Sequence, residues 1–390
     1  MTAPPIPIPD WSDLESQTIP LRRVWQILGL CESVQYAIRL VTWHAERQGE
    51  VDFSPREQNG LDVVACVKQA RGYFEAAEAA SIAVSPLLLF YGVSSLAKAV
   101  VVARSPEYHL GNMGRHHGLS ASQIAQKNVG KAGLTRELMK FEASVEGGGT
   151  FLEYAETLSG SFAYKVFDET TGRSNTLKVD AAPATSLPGR KFSLGDLLAR
   201  QPAIRSLYHH AVGSRPLNHY GVSSMRFDGG VTLCNAHFKN DPPAKDLEGH
   251  IRSHFPQVAT CLVANSPTGS IIGLLDSECL TFASPQAVPM FPLSADLGMR
   301  GSASTSAGYF VAPFEFGTVS EALQLYVLSY LLGMLARYYP TVWMKLIASG
   351  GSDEAFPLCR SAVDLIRERF PVLALEGLAS FAHERTFVTS

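Results

Sequence analysis

A chain of 390 residues with 46% hydrophobic and 18% charged residues has a globular rather than a disordered composition, and is long enough for two or three structural units. Its net charge of −3 supplies no global basic field, so strong nucleic-acid binding is not expected. Cys31, Cys66, Cys234, Cys261, Cys279 and Cys359 form no C-x-x-C pair and no metal-ribbon spacing; they read as reduced thiols of a cytoplasmic protein.

Residues 1–19 are proline-rich, lack the basic and apolar regions of a signal peptide, and are expected to form an extended arm. Residues 20–135 read as an N-terminal helical part. Over residues 21–48, Val24, Trp25, Leu28, Val34, Ile38, Val41 and Trp43 alternate with charged residues at helical spacing, which predicts one long helix. A second helix is expected over 61–80. The third, from Pro86 to Arg104, is apolar on most sides. Pro86 suits its first turn, and Pro106 disfavours helical geometry at Ser105. Three neighbours with short connections predict antiparallel packing.

The period changes after Arg136, so residues 136–306 read as a β-rich middle domain. Met139, Phe141, Ala143 and Val145 alternate with polar residues, the pattern of a half-buried strand. Thr150 and Glu153 have capping-box spacing at the start of a short helix. A hairpin is expected over 162–179, a helix over 193–200, and paired strands over 220–227 and 231–238 around Asp228-Gly229-Gly230. A helix over 244–254 and short strands over 258–264, 271–275 and 280–283 follow. Residues 285–306, rich in Pro, Ser and Gly, read as a linker, with a last strand over 308–314. Residues 307–390 return to helices, capped by Ser320 and interrupted at Pro340 and Pro371. The longest uncharged run, residues 322–336, is about fifteen residues, short of the roughly 18–20 that span a bilayer. Insertion is therefore not expected, and contact with a membrane surface is left open.

The richest candidate site is the loop that the third helix delivers. It holds Arg104, His109, Arg115, His116 and His117, with Gly111, Gly114 and Gly118 between them. Arg104 and His109 have the R-x(4–6)-H spacing of HEPN ribonucleases, in which a histidine moves a proton and an arginine braces phosphate. Arg115, His116 and His117 suit an anion or a protein contact better than a metal, since no third ligand is readable. His250 and His254, four residues apart on a helix, could share a metal, but H-E-x-x-H is absent. Ser95 and Lys98 match S-x-x-K without its companion motifs, and the Gly/Ser run over 301–308 offers an anion nest without a P-loop.

The blocks Tyr73-Phe74-Glu75-Ala76-Ala77, Pro86-Leu87-Leu88-Leu89-Phe90-Tyr91-Gly92, Leu96-Ala97-Lys98-Ala99 and His117-Gly118-Leu119 resemble the YaaC-like family. Leu335-Ala336-Arg337-Tyr338-Tyr339-Pro340-Thr341-Val342-Trp343 resembles the family's second hallmark. Phe370-Pro371-Val372-Leu373 fits its ending, and Ser193 to Leu198 is the clearest match in the middle. With signatures at both ends, the expected fold is α+β: N- and C-terminal helices packed as one helical lobe around or beside a central β-rich lobe. One branch of the family supplies the sensor of a two-protein anti-phage system of the jumbo-phage-killer (Juk) type. The resemblance therefore implies a non-enzymatic sensor or adaptor. It would recognise an early phage infection component and recruit an effector protein encoded nearby, with no cofactor and no metal. The family supplies no catalytic residue. The rival readings are a HEPN-like metal-independent ribonuclease using Arg104 and His109, and a housekeeping protein-interaction scaffold.

Overall fold

The computed structural model describes residues 20–48, 56–105, 107–124, 134–158, 162–168, 173–179, 182–228, 231–239, 246–256, 262–264, 279–284, 294–300, 303–348, 355–379 and 384–389. The fold is α+β. Helices from both ends of the chain pack as one lobe, beside a β-rich lobe built from the middle.

The N-terminal helices are α1 (Leu21–Leu28), α2 (Val34–Arg47), α3 (Arg56–Ala79) and α4 (Ser85–Arg104). The single helix expected over 21–48 is broken: a 3-10 turn at Gly29–Glu32 is followed by extended Ser33, with φ −90° and ψ 124°. The break lets Cys31, Ala37 and Leu40 all face the core, which one straight apolar stripe would not. The C-terminal helices are α10 (Glu321–Tyr338), α11 (Pro340–Ala348) and α12 (Ala355–Ala379). The break expected at Pro371 does not occur: α12 runs through it, with Pro371 buried. Proline costs a helix interior about 3 kcal/mol, which the burial of Phe370, Val372, Leu373 and Leu375 around it offsets.

Helix α4 is the axis of this lobe. Val93, Leu96, Ala97, Ala99, Val100 and Val102 are fully buried, and a narrow stripe through Leu87, Tyr91, Ser94 and Lys98 is half-buried. Its neighbours come from both ends of the chain. Gly92 on α4 accepts the Phe74 ring of α3, and a Cβ there would lie 2.7 Å from Phe74 Cδ2. Phe90 on α4 meets Tyr326 and Tyr330 of α10 edge-on, at centroid distances of 6.1 and 5.4 Å. Polar ties repeat the pairing of the two ends. His44 on α2 bonds the Leu378 carbonyl of α12 at 2.8 Å, and Trp343 Nε1 on α11 donates to Ile82 O at 3.1 Å. By length and composition α4 is the one helix among the described residues that could cross a membrane, and 72% of that window is buried inside the protein.

The middle of the chain divides between two cores. A small sheet of β1 (Leu119–Ala121), β2 (Glu142–Val145) and β5 (Lys191–Ser193) packs onto the helical lobe with α5 (Leu134–Met139), α6 (Thr150–Thr157), α7 (Leu194–Ala199) and α8 (Arg205–Val212). The strand expected to begin at Met139 therefore starts at Glu142, and Met139 itself ends α5. The helix over 205–212 has no counterpart in the sequence reading. The larger sheet has six strands in the order β10-β11-β6-β7-β9-β8, antiparallel throughout. These are β6 (Asn218–Asp228), β7 (Val231–Lys239), β8 (Leu262–Ala264), β9 (Cys279–Ser284), β10 (Ser294–Arg300) and β11 (Ala303–Val311). Helix α9 (Leu247–His254) accompanies it. A third sheet joins the expected hairpin β3 (Phe162–Asp168) and β4 (Arg173–Val179) to β12 (Glu384–Thr389), which runs parallel to β3.

The linker expected over 285–306 is overturned: β10 and the start of β11 lie in it, with Ala303 opposite Arg226 and Ser306 opposite Ser223 of β6. A ladder partner supplies the order that small residues lack locally. The anion nest expected over 301–308 falls in this hairpin, where 303–308 is extended strand. The strand expected over 271–275 lies outside the described residues. Arg200 and Asn218 tie the two lobes. Arg200 Nε donates to Ala312 O at 2.9 Å, and Asn218 Nδ2 donates to Ala199 O at 2.8 Å.

Candidate functional site

The loop over 105–118 leaves the end of α4 and returns as β1. It is tied at nearly every turn. From α3, the fully buried Asn59 donates through Nδ2 to Tyr108 O at 2.9 Å. One turn on, Asp62 Oδ2 accepts the Leu110 N–H at 2.8 Å, while its Oδ1 accepts Gln58 Nε2 at 2.8 Å. From α6, Glu153 Oε1 accepts the Gly114 N–H at 2.7 Å. The capping box expected between Thr150 and Glu153 is therefore not formed. Gly149 is the N-cap, and Glu153 is used on the loop instead. The amides at the start of α6 are taken as well: Thr150 N donates to His116 O at 3.1 Å and Phe151 N to His117 O at 3.0 Å. Gly118, at φ +79°, makes the return turn, and a Cβ there would sit 2.7 Å from Gly148 O.

Within this frame each candidate residue has its own place. Arg104 is half-buried and reaches α12, where Nη1 donates to Gly377 O at 3.4 Å; its own carbonyl accepts Gln48 Nε2 at 2.6 Å. Burial lowers its guanidinium from the ordinary arginine range, and Tyr154 beside it opposes that shift. His109 closes a tight turn. Its Nδ1 accepts the Gly111 N–H at 3.1 Å, and its N–H donates to Asn112 Oδ1 at 2.8 Å. Arg104 and His109 thus take separate partners. His117 packs between α4 and α10, 4.7 Å from the Tyr330 ring and 5.9 Å from that of Phe90. Its Nδ1 accepts the Leu119 N–H at 3.3 Å, and burial lowers its basicity. Arg115 and His116 are the exposed pair. His116 Nδ1 lies 3.2 Å from Glu146 Oε2, and Arg115 has no ion-pair partner among the described residues. Leu110, 37% exposed, and Leu61 of α3, 42% exposed, are apolar residues on or beside this loop.

The remaining candidates are elsewhere. Ser95 is buried and bonds Tyr91 O at 2.9 Å and Gln69 Oε1 at 3.1 Å, the contacts of a helix-packing serine. Cys31 and Cys66 are buried, and burial pushes both thiols up to about 12, far from the range of a nucleophile. His250 and His254 share one face of α9, with ring centroids 4.4 Å apart, but His254 Nδ1 is engaged by His250 O at 2.8 Å. His219 of β6, which sequence reasoning missed, meets His250 at 5.1 Å. The loop anchors Asn59, Asp62 and Glu153 were missed too. The signal for the first two was two short polar residues, three apart, in the first turns of a helix.

The fold and the loop define a class: an α+β protein whose split helical core, drawn from both chain ends, presents a tethered cationic loop. The profile of the YaaC-like Protein family matches residues 30–378, and the chain belongs to that family. No curated protein and no solved structure matches it.

Proposed function

We propose that the protein is a non-enzymatic sensor or adaptor of a two-protein bacterial anti-phage defence system, which recognises an early phage infection component and recruits an effector protein. The supporting observation is the loop over 105–118. Its backbone is held by α3 and α6, while Arg115, His116 and Leu110 face outward. A pre-ordered loop loses little conformational freedom on binding, so its exposed groups serve recognition efficiently. Arginine is favoured at such contacts for its planar, multiply donating head group. Ribonuclease chemistry would need Arg104 and His109 on one phosphate; one bonds α12 and the other its own turn, so no observation favours that reading.

Affinity capture of the tagged protein early in infection, with proteins and RNA both identified, tests this reading. Co-purification of one neighbouring-gene protein with phage early components supports it. Capture of cleaved RNA that disappears in a folded His109→Ala variant contradicts it.

A further inference from the structure

The junction of β6, α8 and α9 holds a second polar cluster, unlike the loop in one respect. His219 is fully buried, and among the described residues neither of its ring nitrogens has a hydrogen-bond partner; His250 Nε2 is also buried without one there. The walls are aromatic: Phe255 lies 5.9 Å and Phe238 6.3 Å from the His219 ring, with Phe310 opposite it on the next strand. An unpaired polar atom in such surroundings keeps the full penalty of its lost hydration, and three together call for a ligand.

The charge around the cluster chooses its class. Arg205 and Arg215 both lie near enough to His219 to disfavour its protonation, as do His250 and His254. The carboxylate facing His250, Asp246, is occupied in capping α9, accepting the Gly249 N–H at 2.7 Å. Among the described residues no group of three His, Cys, Asp or Glu side chains is placed to hold a metal ion, and two guanidinium groups repel a cation. We propose that His219 and His250, with Arg205 and Arg215 beside them, form a binding site for a tetrahedral oxyanion, either free phosphate or the phosphate of a small ester. Bound there, the anion accepts hydrogen bonds from both imidazoles as imidazolium ions, in a positive surrounding to which Arg205, its Nε held by Asn218 Oδ1 at 3.2 Å, contributes. Binding then takes up protons, so affinity rises as pH falls.

The test is titration of the full chain with inorganic phosphate, glycerol phosphate and sulfate at constant ionic strength. Thermal unfolding and the imidazole resonances in 15N-labelled protein are the readouts. The expected result is a saturable rise in melting temperature with phosphate or its ester, and upward movement of the titration midpoints of two histidines. Sulfate, whose charge is constant between pH 6 and 8, binds more tightly at the lower pH. His250→Phe, at a half-buried position on α9, weakens binding by about tenfold or more. Absence of any saturable response in the folded wild-type protein overturns the proposal. So does a stoichiometric transition metal whose removal, rather than phosphate, moves the two imidazoles.

Discussion

Two regions of this molecule concentrate histidine and arginine, and they treat their polar groups in opposite ways. In the loop over 105–118, Asn59, Asp62 and Glu153 meet backbone groups of the loop, and His109 and His117 each accept a backbone N–H. At the junction of β6 and α9, three imidazole nitrogens are buried with no partner among the described residues. The loop is complete in itself and has only its outward groups, Arg115 and His116, left to offer. The junction keeps its imidazole nitrogens free for the oxyanion proposed there. Similar residue types thus serve presentation in one place and capture in the other, and the difference lies in the hydrogen-bond accounting rather than in composition.

Breaking the paired side of this comparison has the largest effect. Asp62→Ala strips the partners from the Leu110 N–H and from Gln58 at a position only 7% exposed. The expected cost is about 2–3 kcal/mol in denaturant unfolding, with loss of exchange protection at the Leu110 amide. Gly118→Ala attacks the same loop through its backbone, since φ is +79° and the new Cβ would press on Gly148 O. It is expected to cost about 1–3 kcal/mol, read from the melting temperature.

The unpaired side is sharpened by pH. Burial, followed by neighbouring positive charge, lowers His219 to about 2 and His250 to about 4. An unfolded histidine titrates near about 6.5. The unfolded chain therefore binds more protons below that value, and folded-state stability, full above it, falls as pH drops toward 4. Unfolding free energy measured between pH 7 and 4 should decline more steeply in wild type than in His250→Phe, and phosphate should flatten the wild-type slope. The smallest effect is Arg115→Ala. This exposed residue has no described ion-pair partner, so stability should change by less than about 0.5 kcal/mol while effector or phage-component capture falls.

Much of the helical lobe was legible because its signals are local. The apolar run from Leu87 to Val102, with Pro86 before it and Pro106 after it, marks α4 within a residue or two of Ser85–Arg104. The C-terminal Ser320 cap likewise reads directly, with Oγ accepting the Leu323 N–H at 3.4 Å. What sequence reading lost was decided at a distance. Glu153 has the spacing of a capping box, yet its carboxylate is taken by Gly114, thirty-nine positions upstream. Ser294–Arg300 and the residues 303–306 that open β11 have linker composition, yet β10 pairs with β11, and β11 with β6. The candidate loop was visible as a concentration of Arg, His and Gly, but which of its side chains face outward was not. His219 carried no signal at all, because its isolation depends on Phe238, Phe255 and Phe310, which only the folded sheet brings to it.

The central claim is that the outward face of the loop, and not chemistry at Arg104 and His109, carries function. It is tested most directly by phage plating on cells expressing the protein with its neighbouring effector gene, comparing wild type, Arg115→Glu/His116→Glu and His109→Ala at matched folded levels. The prediction is that the double charge reversal abolishes protection while His109→Ala retains it. Full protection by the double variant, with loss in His109→Ala, would contradict the account.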